Sequence, residues 1–162
     1  MKFTLRPHHI LDIIVQFGGK GMESFQPHPY GHAVHTVAQS ILGNSNCIVK
    51  LVAEADDICA PCKYLSPERK CTDVITAVQP PVSKQDYNDR LDQQILSILT
   101  IEPGTELLLD KYLKLTFIHF NDISEVFVHP NQDGNQKARD FLWGLQQLQY
   151  DIFNDLEKLF LE

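Results

Sequence analysis

Hydrophobic positions recur along the chain with two periods, and their alternation outlines the fold. In "PHHILDIIVQF" the apolar residues Ile10, Ile13, Ile14 and Phe17 fall at helical spacing, and Pro7 suits the first turn of a helix, where its missing N–H costs nothing. "GGKG" then ends that helix, with Gly18, Gly19 and Gly21 free to take positive φ. "HPYGHAVHTVAQSILG" repeats the device: Pro29 stands near its start, Val34, Val37, Ala38 and Ile41 form one side, and Gly43 is the expected C-terminal cap. "CIVKLVAE" reads as a buried strand over 47–53, and "QPPVSKQ" is a proline-rich spacer.

The second half is dominated by the helical period. "DYNDRLDQQILSILTI" predicts a helix with acidic residues in its first turn, where the dipole favours them. Residues 105–119 read as helix in preference to strand, "SEVFVHP" predicts a short strand near 124–128, and "NQDGN" signals a turn. In the tail, Phe141, Leu142, Leu145, Leu148, Ile152, Leu156 and Leu159 mark a long amphipathic helix. Its stripe either covers the chain's own core, the commoner outcome, or forms a homo-oligomer contact. No repeat or low-complexity tract interrupts the pattern.

These elements predict a predominantly helical α+β fold with a small β component. A chain of 162 residues, 43% of them hydrophobic, is near the usual size of one domain. We therefore expect a single domain over 1–162, with one half at 1–78 and a helical half at 84–162. A formal charge of −7 argues against nucleic acid, whose affinity comes from cationic neutralisation of phosphates. The apolar start is interrupted by His8, His9 and Asp12 and lacks a small-residue cleavage site, and no segment has the roughly 18–20 apolar residues of a membrane span. The expectation is a soluble, cytoplasmic protein without a membrane partner.

That compartment changes how four cysteines are read, because in a reducing cytosol clustered cysteines bind metal or do redox work more often than they pair. Cys59, Cys62 and Cys71 stand in "DDICAPCKYLSPERKC" at the spacing C-x-x-C-x8-C. A C-x-x-C turn brings two thiolates to one centre, Pro61 stiffens it, and Cys71 closes the same side. Zinc and an iron-sulfur cluster both accept such a set. Cys47 lies inside the apolar strand and reads as a small buried hydrophobe.

"LRPHHILDIIVQFGGKGMESF" followed by "VAEADDICAPCKYLSPERKC" resembles the domain-of-unknown-function 1284 family, small cysteine-containing bacterial and archaeal proteins. The likeness covers roughly the first 75 residues and fades beyond residue 80. It implies an iron-sulfur cluster on Cys59, Cys62 and Cys71, and it puts Asp12 where family members commonly carry a cysteine. A second cysteine-rich segment that many members have near the C-terminus has no counterpart here.

The fourth ligand decides the chemistry. His8, His9 and Asp12 share a helical face, being four and three positions apart. Asp12 as a weak, exchangeable ligand would leave one iron open to a small molecule, for a non-redox elimination or desulfuration with His8 or His9 as general acid or base. Alternatively Asp12 completes a structural zinc site, or His9 or Cys47 supplies the fourth bond. The contrasting class is a non-enzymatic zinc module that uses its C-terminal helix for oligomer or partner contacts.

Other polar residues carry less. "FGGKG" lacks the full phosphate-loop pattern and follows a helix, so nucleotide binding is not expected; Arg6 and Lys20 are instead candidates for facing a small-molecule substrate. His28, His32 and His35 fall at i, i+4 and i+7, but a residue before proline avoids the helical region, which leaves His32 and His35 paired on a helix. These two read foremost as polar positions of an amphipathic helix. His119 and His129 read as structural. The cysteine loop is expected to pack against the N-terminal helix.

Overall fold

Strand β1 (Lys2–Leu5) delivers the chain into the longest N-terminal element, helix α1 (Pro7–Lys20), with the extended Arg6 as the joint. In the computed structural model, which describes residues 1–44, 46–127 and 133–148, α1 is followed by a single 3₁₀ turn at Met22–Ser24 and by α2 (Val34–Ile41). Strand β2 (Ile48–Leu51) then pairs in parallel with β1, Phe3 opposite Val49 and Leu5 opposite Leu51. Strands β3 (Val74–Ile75) and β4 (Val82–Ser83) form a separate two-stranded ribbon across the expected proline-rich spacer. Ser83 caps α3 (Lys84–Leu99) by accepting from the backbone N–H of Asp86. Strand β5 (Glu106–Leu108) adds antiparallel to β2, giving the order β1-β2-β5. Helices α4 (Leu109–Ile118), α5 (Phe120–Phe127) and α6 (Gly134–Gln147) complete the described chain.

The result is the predominantly helical α+β domain that the periodicities predict. Its core joins Ile10, Leu11, Ile13 and Ile14 of α1 to Val49 and Leu51 of β2, Ile95 and Leu96 of α3, and Phe141 and Leu145 of α6, all within 2% of complete burial. Cys47 is fully buried among them, and burial pushes its thiol up from the ordinary value, as a packed hydrophobe requires. No helix among the described residues is long and apolar enough to cross a membrane.

Several local expectations are corrected. The strand expected at 124–128 is helix α5 through Phe127; Ile123 and Phe127, four apart, both bury, so the apolar pattern there has the helical period. The helix expected from 105 begins at Leu109, because Glu106–Leu108 complete the sheet beside β2. Gly43 does not take the left-handed cap, since the helix ends at an αR Leu42. Gly18 and Gly19 lie inside α1, and of the "GGKG" glycines Gly21 alone, at φ 79°, turns the chain.

The reason is a close helix crossing. A Cβ on Gly18 would lie 1.7 Å from the carbonyl oxygen of Asp140, and one on Gly144 would lie 2.3 Å from that of Ile14. Bare backbone on both sides lets α1 and α6 touch. Phe141 and Leu145 of α6 and Leu148 just after it cover this core while Leu142 and Trp143 stay exposed, so the described part of the tail stripe serves its own chain. The remainder of the stripe, Ile152, Leu156 and Leu159, and also His129 and the last expected strand residue, Val128, lie outside the described residues.

Candidate metal centre

The extended Arg6 turns its side chain inward, and Pro7 starts α1 immediately after it. Arg6 is 2% exposed, with Nη1 donating to Asp92 Oδ2 at 2.9 Å and Nη2 to Asp89 Oδ1 at 2.8 Å. Burial opposes its charge, but the two carboxylates outweigh burial and raise its pKa. Asp92 is fully buried and also accepts from the backbone N–H of His8 at 2.9 Å and from His8 Nδ1 at 2.8 Å. Burial works against the Asp92 carboxylate too, yet His8 and Arg6 hold it below the usual range. Tyr112 fastens the same helix start by donating from its hydroxyl to the Pro7 carbonyl.

The neighbouring His9 has its own carboxylate. His9 Nδ1 lies 2.8 Å from Asp56 Oδ2, and the rings of His8 and His9 are 4.4 Å apart. Asp56 Oδ2 also accepts from the Arg6 backbone N–H at 2.7 Å, while Oδ1 accepts from Ile58 and Cys59, each at 3.0 Å. Four donors thus meet a carboxylate that has about four acceptor positions. Against its burial, His9 and these backbone N–H groups hold Asp56 well below the usual carboxylate range. Reciprocally, burial lowers the His9 pKa but Asp56 wins, and the net shift is upward.

Asp56 therefore shapes the cysteine loop as well as the histidine. The loop is tied to β1 by Asp57, whose N–H donates to Thr4 O and whose Oδ2 accepts from Thr4 N. On its other side Ala33 N donates to Ile58 O and Lys63 N to Tyr30 O. Gly31, at φ 76°, is needed there: a Cβ would come within 3.2 Å of the Pro61 carbonyl. Cys62 N closes the C-x-x-C turn onto Cys59 O, and a tight turn over 66–70 returns the chain so that Cys71 bridges Leu65. The third cysteine comes back beside the first two by this hairpin.

Cys59, Cys62 and Cys71 line one cavity of about 410 Å³ together with Arg6, His8, His9 and Asp12. One ligand atom each from His9 and Cys59, which line this cavity, and from the buried Asp56 behind them lies within 4.8 Å of the other two. Cys62 and Cys71 stand in the same wall outside that triplet. Because the Asp56 oxygens are already taken by four donors and His9 is engaged through Nδ1, the groups of this triplet left for a metal are His9 Nε2 and the Cys59 thiol. The Cys59 thiol is pushed up to about 12, first by burial and then by the Asp56 charge. Its thiolate needs a cation beside it.

The candidate residues thus divide. The three cysteines, His8, His9 and Asp12 meet at the cavity, with Asp12 exposed at its edge. Arg6 also reaches the cavity, but its charge is matched by Asp89 and Asp92. Lys20 is exposed and lines a neighbouring hollow, which shares His9 and Asp12 with the main cavity. His32 precedes α2, so the expected helical pairing with His35 does not form; His32 stacks on His28 instead, at 4.4 Å and 20°. In the sequence Asp56 is legible only as part of the loop, and Asp89 and Asp92 do not stand out as site residues. Their signal was Asp92 falling between Leu91 and Ile95 on the buried side of α3.

The sequence profile of a family described as "Protein of unknown function (DUF1284)" matches residues 28–126. The chain belongs to this family. The match contains the whole cysteine loop and runs on through α3, α4 and most of α5, well past the point where the motif likeness fades. The Arg-Pro-His-His and Gly-Lys-Gly segments precede it. The chain matches no curated protein and no solved structure.

Proposed function

We propose that this family member is a metal-binding protein whose cavity holds an iron-sulfur centre through Cys59, Cys62, Cys71 and His9. One observation carries the reading: Asp56 orients His9 through Nδ1 while shaping, with its other oxygen, the loop that bears Cys59. Metal-binding histidines are held in this way, their second nitrogen donating to a carboxylate. His9 replaces Asp12 as the preferred fourth ligand, since Asp56 holds its ring close to Cys59, whereas Asp12 is exposed.

The spread of the thiols favours a cluster over one zinc ion. Tetrahedral zinc with Zn–S bonds of about 2.3 Å requires donor atoms about 3.8 Å apart. Cys62 and Cys71 line the same cavity of about 410 Å³ as Cys59 but are not among the residues whose ligand atoms lie within 4.8 Å of one another, which accords better with a multi-atom centre than with a single ion.

The proposal extends to small-molecule chemistry at the same centre. That chemistry requires His9, the one ligand that is not a thiolate, to give way to the small molecule, since an iron acts as a Lewis acid only through an exchangeable position. His8, fixed by Asp92 beside His9, is positioned to give or take a proton, and Asp12 stands exposed at the cavity edge. Metal and sulfide analysis of protein purified without oxygen tests the reading. Iron with acid-labile sulfide supports it; one zinc per chain without sulfide replaces it with the structural module.

A further inference from the structure

Gln85 sits in the first turn of α3, outside the cysteine loop, and is 6% exposed. Its Oε1 accepts the backbone N–H of Cys71 at 2.7 Å, and its Nε2 donates to both oxygens of Asp89, at 3.0 and 2.9 Å. Asp89 in turn accepts from Arg6 Nη2. The two contacts fix the amide's orientation. Turned over, it would set an NH₂ against the Cys71 N–H and an oxygen against a carboxylate.

Both halves of the glutamine are therefore required. Leucine would leave the Cys71 N–H and the Asp89 oxygens short of a partner, and glutamate would oppose Asp89 with a like charge. The same helix also carries Asp92, which holds His8 and Arg6 at the start of α1. The hairpin that returns Cys71 and the helix that presents His9 are thus referenced to one support. Hydrogen bonds around the ligating sulfurs tune such centres, and the Cys71 N–H committed to Gln85 is withheld from sulfur.

We infer that Gln85 is a positioning residue for the metal centre, setting the Cys71 backbone so that its sulfur faces the site and joining it to the Arg6–Asp89 pair. The inference deepens the proposed function and rests on it. Full-length wild type, Gln85→Leu and Gln85→Glu, purified without oxygen, test it by visible spectrum and by the rate of iron release to excess ferrous chelator. Gln85→Leu is expected to change the spectrum and to release iron at least fivefold faster. Gln85→Glu, which keeps the acceptor for Cys71, should retain the wild-type spectrum even though repulsion from Asp89 lowers its melting temperature. If Gln85→Leu does not fold, Gln85→Met takes its place in the comparison.

A wild-type spectrum and release rate in Gln85→Leu would overturn the role of Gln85 and leave the centre standing. Equal spectral changes in the leucine and glutamate variants would do the same, since the acceptor would then not matter. Wild-type protein without iron and sulfide would overturn the centre and the role of Gln85 together.

Discussion

His9, which lines the cysteine-bearing cavity, and Asp56, 47 residues away in sequence, are joined by a 2.8 Å hydrogen bond. The bond connects the two sequence features that carry the chemistry, the histidine pair of α1 and the C-x-x-C loop. Because Asp56 also accepts from Arg6, Ile58 and Cys59, a single carboxylate sets the histidine tautomer and the loop backbone together.

Replacing Asp56 with alanine should therefore be costly twice over. Three backbone N–H groups lose their acceptor and a buried ionic partner disappears, for which a loss on the order of 3–5 kcal/mol is expected. Iron affinity should fall about 10–100-fold, as for other carboxylates that orient a ligating histidine. Chemical denaturation and chelator competition measure the two effects. An Asp56→Ala protein as stable as wild type would refute the part assigned to this carboxylate.

The fourth ligand separates two neighbours on one helix face. With His9 in that position, His9→Ala loses the centre or changes its spectrum, whereas Asp12→Ala keeps iron content near wild type. The reverse pattern would return the ligand role to Asp12. Anaerobic iron analysis of the two variants side by side decides between them.

The ion pair predicts a pH dependence for the metal-free protein. The His9 pKa is raised above its ordinary 6.5, so the folded state holds a proton that the unfolded state releases first; this stabilisation is complete below 6.5 and is lost as pH rises through the raised value. The Asp56 pKa is lowered from 3.8, so its contribution is present above 3.8 and is lost as pH falls through the lowered value. Stability of the metal-free protein should decline as pH climbs beyond about 6.5, and Asp56→Asn should flatten that decline. Metal affinity should move the opposite way, since protons compete for His9 and Cys59. Urea midpoints of the metal-free protein across pH 5–9 check the first claim.

At the crossing of α1 and α6, Gly144→Ala should destabilise the fold by about 3 kcal/mol, because its Cβ would lie 2.3 Å from the Ile14 carbonyl oxygen and backbone cannot yield as a side chain does. Gly43→Ala, with nothing within 4 Å of the added carbon and no positive φ, should be nearly neutral. Comparable melting temperatures for the two variants would contradict the tight crossing.

Sequence pattern revealed much of this fold where burial has a period. The spacing of Ile10, Ile13 and Ile14 defined α1, Val49 and Leu51 lie in the expected strand, and Phe141 and Leu145 face the core as their stripe implies. It misled where an element is short or local sequence fits two structures, as with the β-branched Val126 and Val128 that suggested a strand where α5 runs to Phe127. The glycines at 18 and 19 look like a helix stop because the segment they pack against, Asp140 and Gly144 of α6, lies far along the chain. The cysteines and histidines of the candidate centre were visible as motifs. Asp92 and Gln85 were not, since their importance comes from burial beside groups that the chain brings in from elsewhere.

The most direct test of the centre is the iron, zinc and acid-labile sulfide content of wild-type protein purified without oxygen, read with its visible spectrum. Iron and sulfide in comparable amounts, with a broad visible absorption that Cys59→Ser abolishes, is the predicted result. A colourless protein carrying one zinc per chain, or no metal at all, would contradict it.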